Sequence, residues 1–141
     1  MYYYNGMNSA DHGPFPFATN VEKEAKENQY FRTTLWTGSN LQMTLMCIPP
    51  CEDIGLEIHR DTDQIISVED GQGLIKIGNR KDQLNFHQHL CAGDTVFVPA
   101  GIWHNVINTG RSPLKISSIY APPEHPRGTV HQTKADAERE H

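Results

Sequence analysis

The sequence predicts an all-β fold, an antiparallel sandwich or barrel held in one domain. Three observations carry this. Short apolar runs recur at regular spacing from residue 30 to residue 121, turn-forming residues separate them, and no long helical pattern intervenes. At 141 residues the chain can bury one core without disulfide or metal staples.

The elements follow in order. Residues 1–29 read as an aromatic arm, rich in glycine and proline, that ends in a short helix. Thr19 with Glu22 three residues on is a capping-box pattern, which predicts that helix near 20–28. Residues 30–121 form the barrel. Phe31–Trp36 and Leu41–Ile48 make a hairpin about Gly38, Ser39 and Asn40. Leu41, Met43, Leu45 and Cys47 share one face of its second strand by the period of two. Further runs lie at Leu56–His59, Gln64–Glu69, Leu74–Gly78, Leu84–Leu90, Thr95–Val98, His104–Asn108 and Leu114–Tyr120, about nine strands in all. Residues 122–141 are a tail. Pro122, Pro123 and Pro126 cannot donate to a ladder, and Thr133 to Asp136 opens a second short helix.

Composition narrows the function. Seventeen acidic against twelve basic residues give a net charge of −5, which argues against nucleic acid or an anionic membrane surface as partner. No apolar stretch approaches the ~20 residues of a membrane span, and the start lacks the basic and apolar regions of a signal peptide. Cys47, Cys51 and Cys91 are an odd set that completes neither a disulfide framework nor a zinc knuckle. They predict reduced thiols and a cytoplasmic protein.

Two segments carry the chemistry. The first holds Gly55, Glu57, His59, Gln64 and Gly71; the second holds Gly93, Pro99, Gly101, His104 and Asn108. Together they resemble the two signatures of the cupin superfamily, the small single-domain type with one conserved barrel. The second fits at every position. The first fits in ligand spacing and closing glycine, but Cys51 stands where the pattern opens on a glycine. The resemblance spans roughly residues 41–121 and implies a double-stranded β-helix, the jelly-roll barrel, with short peripheral helices. It also implies a metal site in which Glu57 replaces the family's first histidine, His59 keeps the second, Gln64 replaces the glutamate and His104 keeps the last.

The residues themselves make sense of this set. Glu57 and His59, two apart on a strand, point to one face; Gln64 starts the return strand; His104 follows a tight turn. Two imidazoles, an amide oxygen and a carboxylate carry the same formal charge as three imidazoles and a carboxylate. Zinc, manganese, iron and nickel all suit such donors. A pocket that had lost its metal, with Glu57 hydrogen-bonded to a histidine, would show the same substitutions.

Asp63 and His131 are the candidate catalytic groups, although Asp61 and Asp63 also read as turn formers. His125 and His131 lie in a tail able to fold over the barrel mouth. His87 and His89 share a strand face expected to decorate the outer surface. Tyr120 is a candidate pocket residue, and Trp103 a core one. The ligand types resemble those of mannose-6-phosphate isomerases, which implies sugar-isomerase-like chemistry on a small polar metabolite. The alternatives are a non-haem-metal dioxygenase and a binding module without turnover. The aromatic arm offers a surface for a homodimer.

Overall fold

The computed structural model describes residues 11–140; the first ten residues of the aromatic arm, which bear on the homodimer expectation, lie outside them, as does His141. The elements are α1 (Val21–Glu27), β1 (Arg32–Thr37), β2 (Gln42–Ile48), β3 (Asp63–Asp70), β4 (Gln72–Gly78), β5 (Phe86–Cys91), β6 (Thr95–Val98), β7 (Trp103–Asn108), β8 (Leu114–Ala121), β9 (Val130–His131) and α2 (Lys134–Arg139). They build two antiparallel sheets, one ordered β6-β3-β8-β2-β1-β9 and one ordered β5-β4-β7. This is the double-stranded β-helix that the sequence predicts.

Strand alternation sets the interior. In the register of the larger sheet Tyr120 stands between Gln42 and Gln64, Ser118 between Thr44 and Ile66, and Ile116 between Met46 and Val68. Each inward row therefore runs from polar to apolar. The apolar layers close on Ile75, Leu90, Val98 and Val106 to form the core. The polar layers lie toward one end, and the functional residues gather there.

The opposite face of β2 is not solvent. Leu45, with Met43 beside it, packs on Ala25 of α1 and on Leu35, and burying such a leucine contributes about 2 kcal/mol. Helix α1 begins one residue later than the Thr19–Glu22 pattern predicts. Asn20 is the cap, accepting from the Lys23 amide at 2.9 Å, while the Thr19 hydroxyl donates to Glu24 at 2.6 Å. Asparagine caps as well as threonine, and the carboxylate at position 24 takes the threonine away. At the other end the buried Lys115 ammonium donates to the Asn28 carbonyl, a cation at a helix C-terminus. Thr133 does cap α2, in the capping box with Asp136.

One predicted strand is not a strand. The segment with Leu56–His59 runs irregularly along the free edge of β7, held by isolated backbone bonds. Gly55 explains the break: its φ of +93° is open to glycine and costly for other residues. The unforeseen strand is β9, whose two residues are too few to show a period. Cys51 has a φ of +70°, the left-handed conformation that glycine adopts freely, so the position that departs from the cupin signature still keeps the glycine-type backbone.

Asp11 ties the segment before α1 to the end of β1 and to the tail at Gly128. It is 3% exposed; its carboxylate accepts from the Thr37 amide at 3.1 Å, the Thr37 hydroxyl at 2.6 Å and the Gly128 amide at 3.2 Å. Burial alone would raise its pKa, but these bonds hold it below the ordinary 3.8. Protonation below that value therefore favours the unfolded chain. Asp11→Asn should cost about 1–3 kcal/mol at neutral pH. In denaturant titrations the gap between wild type and variant should stay constant above pH 3.8 and narrow as the pH falls below it.

Candidate metal centre

The centre starts from a backbone pairing. Glu57 and His104 exchange both amide–carbonyl bonds, each 2.9 Å, so their side chains stand together on one face. Two residues on, the His59 carbonyl accepts from the Gly101 amide at 2.8 Å. Gly101, at φ +81°, makes the turn that delivers β7 to this pairing. The three side chains converge: one ligand atom from each of Glu57, His59 and His104 lies within 4.8 Å of the other two.

Each donor is turned inward by a partner behind it. His104 Nδ1 lies 3.1 Å from the Ile102 carbonyl, which leaves Nε2 facing Glu57. Glu124 Oε2 lies 3.2 Å from His59 Nδ1, a charge contact without hydrogen-bond geometry, and His59 Nε2 faces the same point. Arg32, its side chain 2% exposed, donates to Glu57 Oε2 at 3.3 Å and frees Oε1. Glu57 Oε1 is 3.3 Å from His59 Nε2 and 3.9 Å from His104 Nε2. Neither approach has hydrogen-bond geometry, and all three atoms are buried without partners. Buried polar atoms are ordinarily paired. Three that meet unpaired, each oriented from behind, suit a cation between them.

Gln64, 3% exposed, faces the interior beside Tyr120. Its amide donates to Ser118 Oγ at 3.4 Å, and its Oε1 is buried with no partner. An oxygen donor is thus left spare at the fourth predicted position.

The electrostatics keep the carboxylate ionised and set the two rings apart, His59 drawn toward its charged form and His104 toward its neutral one. Burial would raise the Glu57 carboxyl, but His59 and the charge of Arg32 hold it below its ordinary value. Burial would lower His59, and Glu57 with Glu124 raise it instead; burial lowers His104. Tyr120 packs edge-on against His59 with ring centres 5.5 Å apart, and burial pushes its phenol up to about 12. Burial, aided by Arg32, pushes His125 down to about 3.

Next to the trio lies a cavity of about 630 Å³. The tail forms one side of it, with Glu124, His125, His131 and the α2 residues Lys134 and Ala137. Gln42 fastens that tail. Its side-chain oxygen accepts from the Glu124 and His125 amides at 3.1 and 3.0 Å, and its nitrogen donates to the His125 carbonyl at 2.8 Å.

Several expectations need correction. Asp63 is exposed on the outer side of β3, where its carboxylate accepts from the Ala100 amide at 2.9 Å. Strand alternation with inward Gln64 turns it away from the trio, and it braces the turn before His104. Trp103 is half-buried and lines the cavity instead of the core. His131 does line the cavity; its Nε2 is 2.9 Å from Glu140 Oε1 and its Nδ1 is buried without a partner. His87 and His89 are exposed, as predicted. Sequence reasoning missed Arg32, Glu124 and Gln42. For Gln42 the signal was available, a polar residue on the inward row of β2.

The comparisons with known proteins follow this geometry. The chain is 56% identical to the uncharacterized protein YrkC of Bacillus subtilis (strain 168) over 127 residues, 90% of this chain and 68% of that one. It is 37% identical over 115 residues to the uncharacterized protein L612 of Acanthamoeba polyphaga mimivirus, covering 81% and 70%. Among solved structures it is similar to BH2720 from Bacillus halodurans, with a TM-score of 0.91 and 55% identity over 92% of this chain and 98% of that one. The cupin-domain family model matches residues 44–120. The barrel, both signatures and the match over more than half its length place this chain in the cupin family.

Proposed function

We propose that this cupin holds a divalent metal ion through Glu57 Oε1, His59 Nε2 and His104 Nε2, with Gln64 Oε1 as fourth donor, and acts on a small polar metabolite. The observation that carries the reading is the meeting of buried donors that satisfy nothing else. Zinc, manganese, iron and nickel accept such a nitrogen and oxygen set. Bound there, the ion supplies Lewis-acid polarisation of a carbonyl or a neighbouring hydroxyl, the chemistry that sugar isomerisation requires.

The chain's own residues supply the rest. Arg32 keeps Glu57 ionised and restricts it to one free oxygen. The Ile102 carbonyl fixes the His104 ring, and Glu124 stands beside the His59 ring as its counter-charge. The tail, fastened by Gln42, walls one side of the cavity. His131, with Nε2 turned to Glu140, is left with Nδ1 as the group that moves a proton on the cavity side. The alternatives share the centre. Two imidazoles and one carboxylate also suit a redox-active iron, and a barrel of this kind can retain a ligand without turnover.

Metal analysis of the purified chain should find close to one equivalent of a divalent transition metal. His104→Ala should lower retained metal at least tenfold while far-ultraviolet circular dichroism stays that of a β protein. Undiminished metal in that variant would place the ion elsewhere. Gln64→Glu should preserve or tighten binding, because it restores a carboxylate at the usual position; weaker binding by calorimetry would exclude residue 64 as donor. With aldoses and ketoses in D₂O, the isomerase reading expects deuterium at the carbon next to the carbonyl. Oxygen uptake would instead select the oxidative reading, and retention without turnover the binding one.

A further inference from the structure

Resting on that metal reading, we propose that the cavity beside the trio takes a small monoanionic carboxylate with a hydroxyl or carbonyl oxygen next to the acid group, and that Arg32 is its counter-charge. The Arg32 side chain is 2% exposed and lines the cavity. One of its nitrogens is given to Glu57, while Nε is buried with no partner. A buried guanidinium with a spare N–H calls for an acceptor. Two further nitrogens on the cavity wall also lack partners, His125 Nε2 and His131 Nδ1. His131 is the cross-strand neighbour of Arg32 and is 3% exposed. The arrangement is built into the barrel wall, not spread over its surface.

Charge fixes the class of ligand. With a divalent ion seated, the interior holds the ion's two positive charges and that of Arg32. Against them stand Glu57 and Glu124, the latter with its side chain 33% exposed. One positive charge is left over. Lys134 adds nothing to this balance, because Asp53 already pairs with it. The Glu140 side chain is 61% exposed, and Glu138 is exposed too, so water and salt screen both. Beside a guanidinium buried as deeply as Arg32, a single unmatched charge favours a single anion. A neutral sugar leaves it unmatched, a sugar acid, which keeps a carbonyl and hydroxyl for the metal, matches it, and a dianion overshoots it. A carboxylate also fits the planar fork of a guanidinium. The neighbouring oxygen lets the same molecule reach toward the metal side.

The test uses the full chain loaded with Co²⁺, whose visible bands report on the metal's surroundings. Sodium L-lactate and propane-1,2-diol share a carbon skeleton and a hydroxyl and differ in the carboxylate. Lactate should alter the cobalt bands and bind at least tenfold more tightly than the diol. In Arg32→Met the two should fall within about threefold of each other, the loss expected on removing a charge-assisted contact. Equal affinities in the wild type, or an undiminished lactate preference in the variant, would overturn the proposal. Should Arg32→Met shed its cobalt, the wild-type ratio decides alone. A wild type that takes up no cobalt defeats the metal reading and this inference with it, whereas bound cobalt without lactate preference defeats this inference only.

Discussion

The reciprocal backbone pair between Glu57 and His104 is the constraint on which the site depends. Each of its two hydrogen bonds is 2.9 Å long and contributes only about 1 kcal/mol. Its geometric effect is larger than its energy. An antiparallel pair of this type places two side chains on one face with no freedom of register. Residues from opposite halves of the sequence thereby become neighbours. The Gly101 amide repeats the restraint two residues further, and His59 joins the same face. Gly55 permits this by interrupting the segment, so that it follows the edge of β7 without a regular ladder.

Around that pair the barrel supplies orientation and charge. Arg32 and the Ile102 carbonyl hold the backs of Glu57 and His104, Glu124 stands behind His59, and the front atom of each donor is left unsatisfied. A half-satisfied polar interior is unfavourable for a bare barrel, since every unpaired buried atom carries its desolvation cost. The apolar layers below, from Met46, Ile48, Ile66, Val68, Leu114 and Ile116, offset that cost and keep the polar end rigid. The tail belongs to this arrangement as well. Gln42 gives its oxygen and one N–H to residues 124 and 125 and another N–H to Thr37, and the tail brings Glu124, His125 and His131 to the site.

Most of the barrel was legible because alternation and turn residues are local signals. Thr95–Val98 matched to the residue, and the strands at 64, 74, 104 and 114 differed only at their ends. Glu57, His59 and His104 were legible because their spacing belongs to a signature. The misses have physical causes. Arg32 opens β1, whose first four residues are buried on both faces, so alternation does not reveal which way it points. Glu124 lies in a proline-rich stretch with no period at all. Asp63 was misread because nearness in sequence to Gln64 means opposite faces on a strand. The structure adds two charges to the four expected ligands. Arg32 adds a positive charge and Glu124 a negative one, and the pair leaves the total where the four predicted ligands had put it.

The central claim is that three side chains share one cation. An anomalous-difference map from crystals of the chain, recorded above the absorption edge of its copurified metal, tests it most directly. The account predicts one dominant peak about 2.0–2.3 Å from Glu57 Oε1, His59 Nε2 and His104 Nε2. A peak held by other residues, or a flat map at that point while the crystals contain a full equivalent of metal, would contradict it.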